Sequence, residues 1–227
     1  MNRTKLKDRV LPTYTKGEEI FNMTSHIVGG VLGIVATVLC TVIASVHHNV
    51  YGIISGAIFG VTMILLYTMS SIYHGLSPKV SGKKVLQILD HCSIFLLIAG
   101  SYTPFTLCTL MQDDPVVAWT IFGIIWGFAV LGIILNAIDL KNYKKFSMIC
   151  YLAMGWCIIF KMPVLPSLLG WAGCALLIAG GVVYTIGAIL YGVREKDQIH
   201  ALNIPPMHLR RQFTTISMHN IIRNVTE

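Results

Sequence analysis

Six stretches of the chain are apolar over roughly the length a helix needs to cross a bilayer, and no other feature constrains the fold so strongly. They cover about 26–46, 50–73, 86–109, 116–138, 146–162 and 167–193. A helix rising about 1.5 Å per residue needs about 20 residues to cross a hydrocarbon core roughly 30 Å thick. In lipid, every backbone N–H and C=O has to be satisfied within its own segment, so each stretch is read as a helix. Only 12% of the 227 residues are charged, against about 25% in an ordinary soluble domain. That is too little polar surface to coat a core of this size in water. The expected fold is an all-α membrane protein, with six transmembrane helices in this chain.

The basic residues test that reading. Arg3, Lys5, Lys7, Arg9 and Lys16 precede the first stretch. Lys79, Lys83 and Lys84 follow the second, and Lys141, Lys144 and Lys145 follow the fourth. Arg194, Lys196, Arg210, Arg211 and Arg223 follow the sixth, leaving Lys161 as the exception among seventeen. The intervening loops carry almost no basic charge, so the alternation puts the N-terminus in the cytosol. The formal net charge of +7 therefore points to anionic membrane lipids as partners. No RNA- or DNA-binding motif accompanies it, and nucleic acid is excluded as the expected partner.

The six cysteines lie in or beside the apolar stretches without zinc-site spacing and read as packing residues. No secretory signal precedes the first apolar stretch, which is expected to serve as the insertion signal itself. Glycines recur four apart at Gly29 and Gly33, at Gly52, Gly56 and Gly60, and at Gly123 and Gly127. Small residues at that spacing let helix backbones approach closely. Pro104 is expected to kink the third helix.

Polar side chains in or beside such helices are expensive, about 2.5–3.5 kcal/mol for a charge at mid-bilayer on insertion scales. Glu19, Asn22 and His26 share one face at helical spacing before and at the first span. Ser70 and His74 close the second span at i, i+4, and Asp90 opens the third with Gln87 and Ser93 a turn either side. The expected topology gathers these helix ends at the cytosolic membrane face. A metal there would suit zinc, with His74 as a neutral imidazole ligand, Asp90 holding and deprotonating a bound water, and Ser70 offering a hydroxyl. The competing roles are a hydrogen-bonded interfacial histidine for His74, a helix cap for Asp90 and a first-turn acid for Glu19. His91 is turned about 100° from Asp90 and is expected to face elsewhere. His47 and His48 read as solvated.

Taken in order, Glu19-x-x-Asn22-x-x-Ser25-His26, Ser70-Ser71-Ile72-Tyr73-His74, Asp90-His91-Cys92-Ser93-Ile94-Phe95 and Ala99-Gly100-Ser101-Tyr102-Thr103-Pro104 resemble the haemolysin III family. That family is the bacterial branch of the progestin and adipoQ receptors. Tyr184-Thr185-Ile186-Gly187-Ala188 is similar as well, and the resemblance covers about 16 to 193. It implies a multi-pass protein of the bacterial inner membrane, a seven-helix-type bundle and a zinc site near the cytosolic face. The implied ligands are a histidine matching His74 and two from an H-x-x-x-H motif opening helix seven. Ser70 and the water-holding Asp90 match two further positions.

The chain departs from the pattern after Val193. Residues 194–227 form a basic tail where the seventh apolar helix is expected. His200-Ala201-Leu202-Asn203-Ile204 matches the start of H-x-x-x-H, with Ile204 in place of the second histidine. A frameshift near Leu202 to Ile204 would account for this, and sequencing the gene tests it. With the tail as it stands, the metal residues are His74 and His200, the third ligand is absent and zinc affinity is expected to be poor. The expected layout is a cytosolic arm over 1–25, a bundle over 26–193 and the tail over 194–227. Three functions follow: a zinc-dependent lipid amide hydrolase or sensor, a pore-forming cytolysin, and a non-catalytic regulator of membrane homeostasis. The polar stripe a pore would need is thin, which favours the first or third.

Overall fold

The computed structural model describes residues 3–203, with side-chain surroundings for residues 3–190. Its long helices are α1 (Lys16–Val46), α2 (Val50–Gly75), α3 (Gly82–Pro104), α4 (Pro115–Trp156) and α5 (Leu165–Asn203), and no strand occurs among the described residues. Among the described residues, five helical segments are long and apolar enough to cross a membrane. The chain divides into two compact units, Met1–Tyr184 and Thr185–Glu227. The helices packed around the candidate site belong to the first, and the described part of the second is the end of α5.

The first helix starts ten residues before its apolar stretch because of its cap. Thr15 Oγ1 accepts from the Glu18 amide at 3.3 Å while Glu18 Oε2 accepts from the Thr15 amide at 2.8 Å. This reciprocal box satisfies two of the amides a helix start leaves without partners. It carries helical geometry through Glu19, Asn22 and His26, which sequence had placed before or at the span.

The glycine spacing works between α1 and α2. A Cβ on Gly29 would stand 2.7 Å from the Tyr67 ring, and one on Gly52 would stand 2.9 Å from Ala44 Cβ. Gly33 faces Met63, Gly56 faces Cys40, and Gly60 meets Thr37 more closely still. The same spacing at Gly123 and Gly127 serves no such contact, since among the described residues nothing lies within 4 Å of where a Cβ would stand at either.

The third helix is the central one. Half of its most apolar stretch is buried, against 6% for α1 and for α5. The sixteen-residue reach from Lys83 to Ile98 already includes buried Gln87, Cys92, Ser93 and Phe95. Pro104 does not end the helix. A π turn over Phe105–Thr109 follows, in which the Leu110 amide donates to the carbonyls of both Phe105 and Thr106. The wider turn re-pairs backbone that proline would otherwise leave unsatisfied.

The fourth helix departs most from expectation. Asp139 leaves helical geometry at φ −157°, ψ 87°, so α4 is two arms meeting at one residue rather than two helices with a polar loop between them. Ser147 Oγ donates to Asn136 Oδ1 at 2.6 Å. In a straight helix those residues would stand about 16 Å apart along the axis, so the chain doubles back. Asn136 also donates to Tyr151 Oη, which in turn donates to the His91 carbonyl at 2.7 Å. This buried polar chain ties both arms to α3. Phe95 and Tyr151 meet above it with ring centroids 4.3 Å apart, and Gly132 lies directly under Phe95. The remaining irregularity is Gly170 in α5, at φ 69°, ψ 166°, a backbone region essentially reserved for glycine.

Candidate functional site

His74 sits in the last turn of α2 and is nearly enclosed, with 9% of its side chain exposed. Its Nδ1 lies 2.6 Å from Glu19 Oε2, so α1 supplies the carboxylate and α2 the imidazole. The other carboxylate oxygen, Oε1, accepts from Lys83 Nζ at 2.7 Å, and the same ammonium donates to the Leu76 carbonyl at 2.7 Å. Lys83 stands in the first turn of α3, is 2% exposed and lies 5.1 Å from the Tyr73 ring centroid. Tyr14 and Tyr73 meet the His74 ring edge-on at 5.4 and 4.8 Å between centroids. Three helix ends therefore converge on one imidazole.

His26 is the neighbour on α1. Its ring is roughly parallel to that of His74, at 6.1 Å and 23°. Its Nδ1 is 2.6 Å from the Asn22 carbonyl one turn back, which leaves that nitrogen occupied within its own helix. Ser70 is buried one turn before His74 on the same face of α2. Asp90 stands on α3 with its carboxylate 3.9 Å from His91 Nδ1. No hydrogen bond or ion pair among the described residues joins Asp90 to His74 or to Ser70. His91, expected from its rotation to face elsewhere, thus stands beside Asp90, and its Nδ1 donates to the Gln87 carbonyl at 2.8 Å. His200 lies in the last helical turns of α5, and its side chain is outside the described residues.

The N-terminal arm closes one end of the bundle. Arg3 Nε donates to the Ile138 carbonyl at 2.8 Å, and the Thr4 amide donates to Asp139 Oδ2 at 2.7 Å. Lys84 Nζ donates to the Lys7 carbonyl at 2.7 Å, and Arg9 is buried. Asp139 also caps the second arm of α4, with Oδ1 accepting from the amides of Lys141 and Asn142. Burial pushes the Asp139 pKa upward, but the hydrogen bonds from Thr4, Asn142 and Lys141 outweigh it and hold the group below the ordinary carboxylate value.

Comparison with known proteins gives the family. The family model described as Haemolysin-III related matches residues 14–204. The chain belongs to the haemolysin III family. It is 41% identical over 186 residues to a protein named Hemolysin-3 from Bacillus cereus, covering 82% of this chain and 83% of that one. It is 38% identical over 189 residues to a Hemolysin-3 homolog from Bacillus subtilis (strain 168), covering 83% and 87%. No solved structure matches.

The haemolysin III resemblance implies zinc, and the donor chemistry can be tested against the described residues. His74 fits a zinc ligand, since its Nδ1 is held by a carboxylate and Nε2 has no partner among them. Glu19 is committed to His74 and Lys83, with one hydrogen bond to each carboxylate oxygen. No group of three or more His, Cys, Asp or Glu that could hold a metal occurs among the described residues, which do not include the His200 side chain.

Lys83 was the residue sequence reasoning misplaced. Counted as a loop charge, it is a buried partner of Glu19. The available signal was helical spacing: Lys83 and Gln87 are i, i+4 on the buried face of α3.

Proposed function

We propose that this haemolysin III protein crosses the membrane six times with a cytosolic N-terminus, and binds zinc at His74 near the cytosolic face. We propose further that the site acts on, or senses, a lipid amide. Two sets of contacts support the topology. Arg3, Thr4 and Lys7 meet the Asp139 turn and the start of α3, which groups the three basic segments. Lys161 meets Asp113 at 3.2 Å, which pairs two of the loops expected outside.

A single observation carries the zinc reading: a nearly buried imidazole at a helix end, fixed through Nδ1 by a carboxylate from another helix. Zinc, when bound, supplies a Lewis acid and a water acidic enough to be deprotonated near neutral pH. His74 would hold it. Ser70 would offer a hydroxyl one turn before the ligand, and Asp90 would take the water's proton. The helix ends enclose the polar groups, and Tyr14 and Tyr73 limit water around the His74 ring.

The relatives' printed names favour the second reading, a lytic pore. Against it, polar side chains in the bundle bond inward to their own helices: Thr103 donates to the Ala99 carbonyl and Thr106 to that of Tyr102. They do not offer ion-facing groups in a row. The test is reconstitution into liposomes carrying both a fluorescent N-acyl lipid and a trapped dye. Fatty acid release that stops with a zinc chelator and with His74→Ala supports the amide reading. Dye leakage from both proteins without amide cleavage supports the pore.

A further inference from the structure

We propose that Glu19, itself held by Lys83, is a positioning residue that fixes the His74 ring in one tautomer, with Nε2 presented to a ligand. This rests on the zinc reading above for its purpose, but its geometry stands apart from it.

A carboxylate only accepts hydrogen bonds, so the 2.6 Å contact from Glu19 Oε2 requires the proton on His74 Nδ1. In a neutral ring the lone pair then resides on Nε2, the form in which an imidazole binds a metal. Rotation of the carboxylate away from His74 is opposed at its other oxygen by Lys83 at 2.7 Å. Rotation of Lys83 is opposed in turn by the Leu76 carbonyl at 2.7 Å and by the Tyr73 ring face. The edges of Tyr14 and Tyr73 restrict the imidazole itself. The groups that hold the ring thus come from three helices, Glu19 from α1, Tyr73 from α2 and Lys83 from α3.

A stability role alone accounts poorly for this arrangement. Lys83 is 2% exposed, and a buried ion pair typically stabilises a fold no more than apolar residues of similar volume would. If Glu19, His74 and Lys83 only joined α1, α2 and α3, three apolar side chains would do so without the desolvation penalty. An ionised carboxylate on Nδ1 also raises the ligand strength of Nε2, which an apolar joint does not.

The experiment uses the full chain in detergent, zinc-free, with ¹⁵N-labelled histidine. Nitrogen chemical shifts at a pH where the ring is neutral should show His74 protonated on Nδ1. Glu19→Ala should lose that preference, while Glu19→Gln, which keeps a carbonyl acceptor, should largely retain it. Zinc affinity by chelator competition should fall about 10–100-fold in Glu19→Ala, and less in Glu19→Gln. Lys83→Met should fall between wild type and Glu19→Ala. Elution volume and unfolding midpoint identify variants that fail to fold, and Glu19→Gln remains informative if Glu19→Ala is one of them. The proposal is overturned if His74 in the wild type carries its proton on Nε2, or if folded Glu19→Ala keeps wild-type tautomer and affinity. Wild-type protein with the Nδ1–H tautomer but no His74-dependent zinc would sink the zinc reading and leave the positioning role standing.

Discussion

Replacing Asp139 with Ala removes the side chain that both restarts α4 and anchors the N-terminal arm. Its carboxylate accepts from the Thr4 amide at 2.7 Å, the Lys141 amide at 3.1 Å, the Asn142 amide at 3.3 Å and Asn142 Nδ2 at 2.8 Å. The residue is 5% exposed, so water does not fully replace these bonds. Loss of a helix cap costs about 0.5–2 kcal/mol, and a hydrogen bond to a charged group contributes about 1.5–3 kcal/mol. Together they predict destabilisation of about 2–5 kcal/mol, shared between the second arm of α4 and the docking of residues 3–9. The arm's share alone should raise its opening about tenfold or more. Trypsin cleavage after Arg3, Lys5 and Lys7, timed by mass spectrometry in detergent, reads that opening. Asp139→Asn keeps part of the cap without the charge and should fall between. An Asp139→Ala protein whose arm is cut at the wild-type rate would refute the latch. The pH dependence has a definite sign. The folded pKa is depressed, so the carboxylate's contribution is fully present above the unfolded value near about 4 and is lost as pH falls through the folded one. Arm protection by hydrogen exchange should therefore be flat from about pH 5 to 7 and decline only below about pH 4.

Other positions carry distinct expectations. Gly60→Ala puts a methyl into Thr37 and should destabilise by about 1–3 kcal/mol as α1 and α2 are forced apart; Gly123→Ala, with open space around it, should be neutral or slightly stabilising. Thermal unfolding in detergent separates the pair. Gly170→Ala forces a side chain to φ 69° and should lower stability by about 1–3 kcal/mol by the same assay, although no neighbour crowds the site.

The apolar stretches were legible because lipid leaves one solution for a backbone: a closed set of helical hydrogen bonds over a fixed length. The junctions were not, because they depend on single side chains. Asp139 turns α4 back on itself through four accepted hydrogen bonds, and nothing in an apolar profile marks an N-cap that needs no loop. The glycine spacing was informative at Gly29, Gly33, Gly52, Gly56 and Gly60, yet the same spacing at Gly123 and Gly127 meets nothing. Spacing permits close approach; a partner decides it. At the candidate site, the expected topology grouped Glu19, His26, His74 and Asp90 at one membrane face; Glu19 and His26 do accompany His74, while the Asp90 carboxylate stands 3.9 Å from His91 Nδ1. Lys83 was hidden by its charge, which reads as a loop residue until Glu19 is seen beside it.

Zinc stoichiometry tests the central claim most directly. Protein purified without affinity-tag histidines and equilibrated with a moderate excess of zinc should bind about one zinc per chain, weakly, and His74→Ala, equally folded, should bind less than about a tenth of that. Equal zinc in the two proteins, or none in either, would contradict the metal site and leave a haemolysin III membrane bundle whose buried imidazole serves another end.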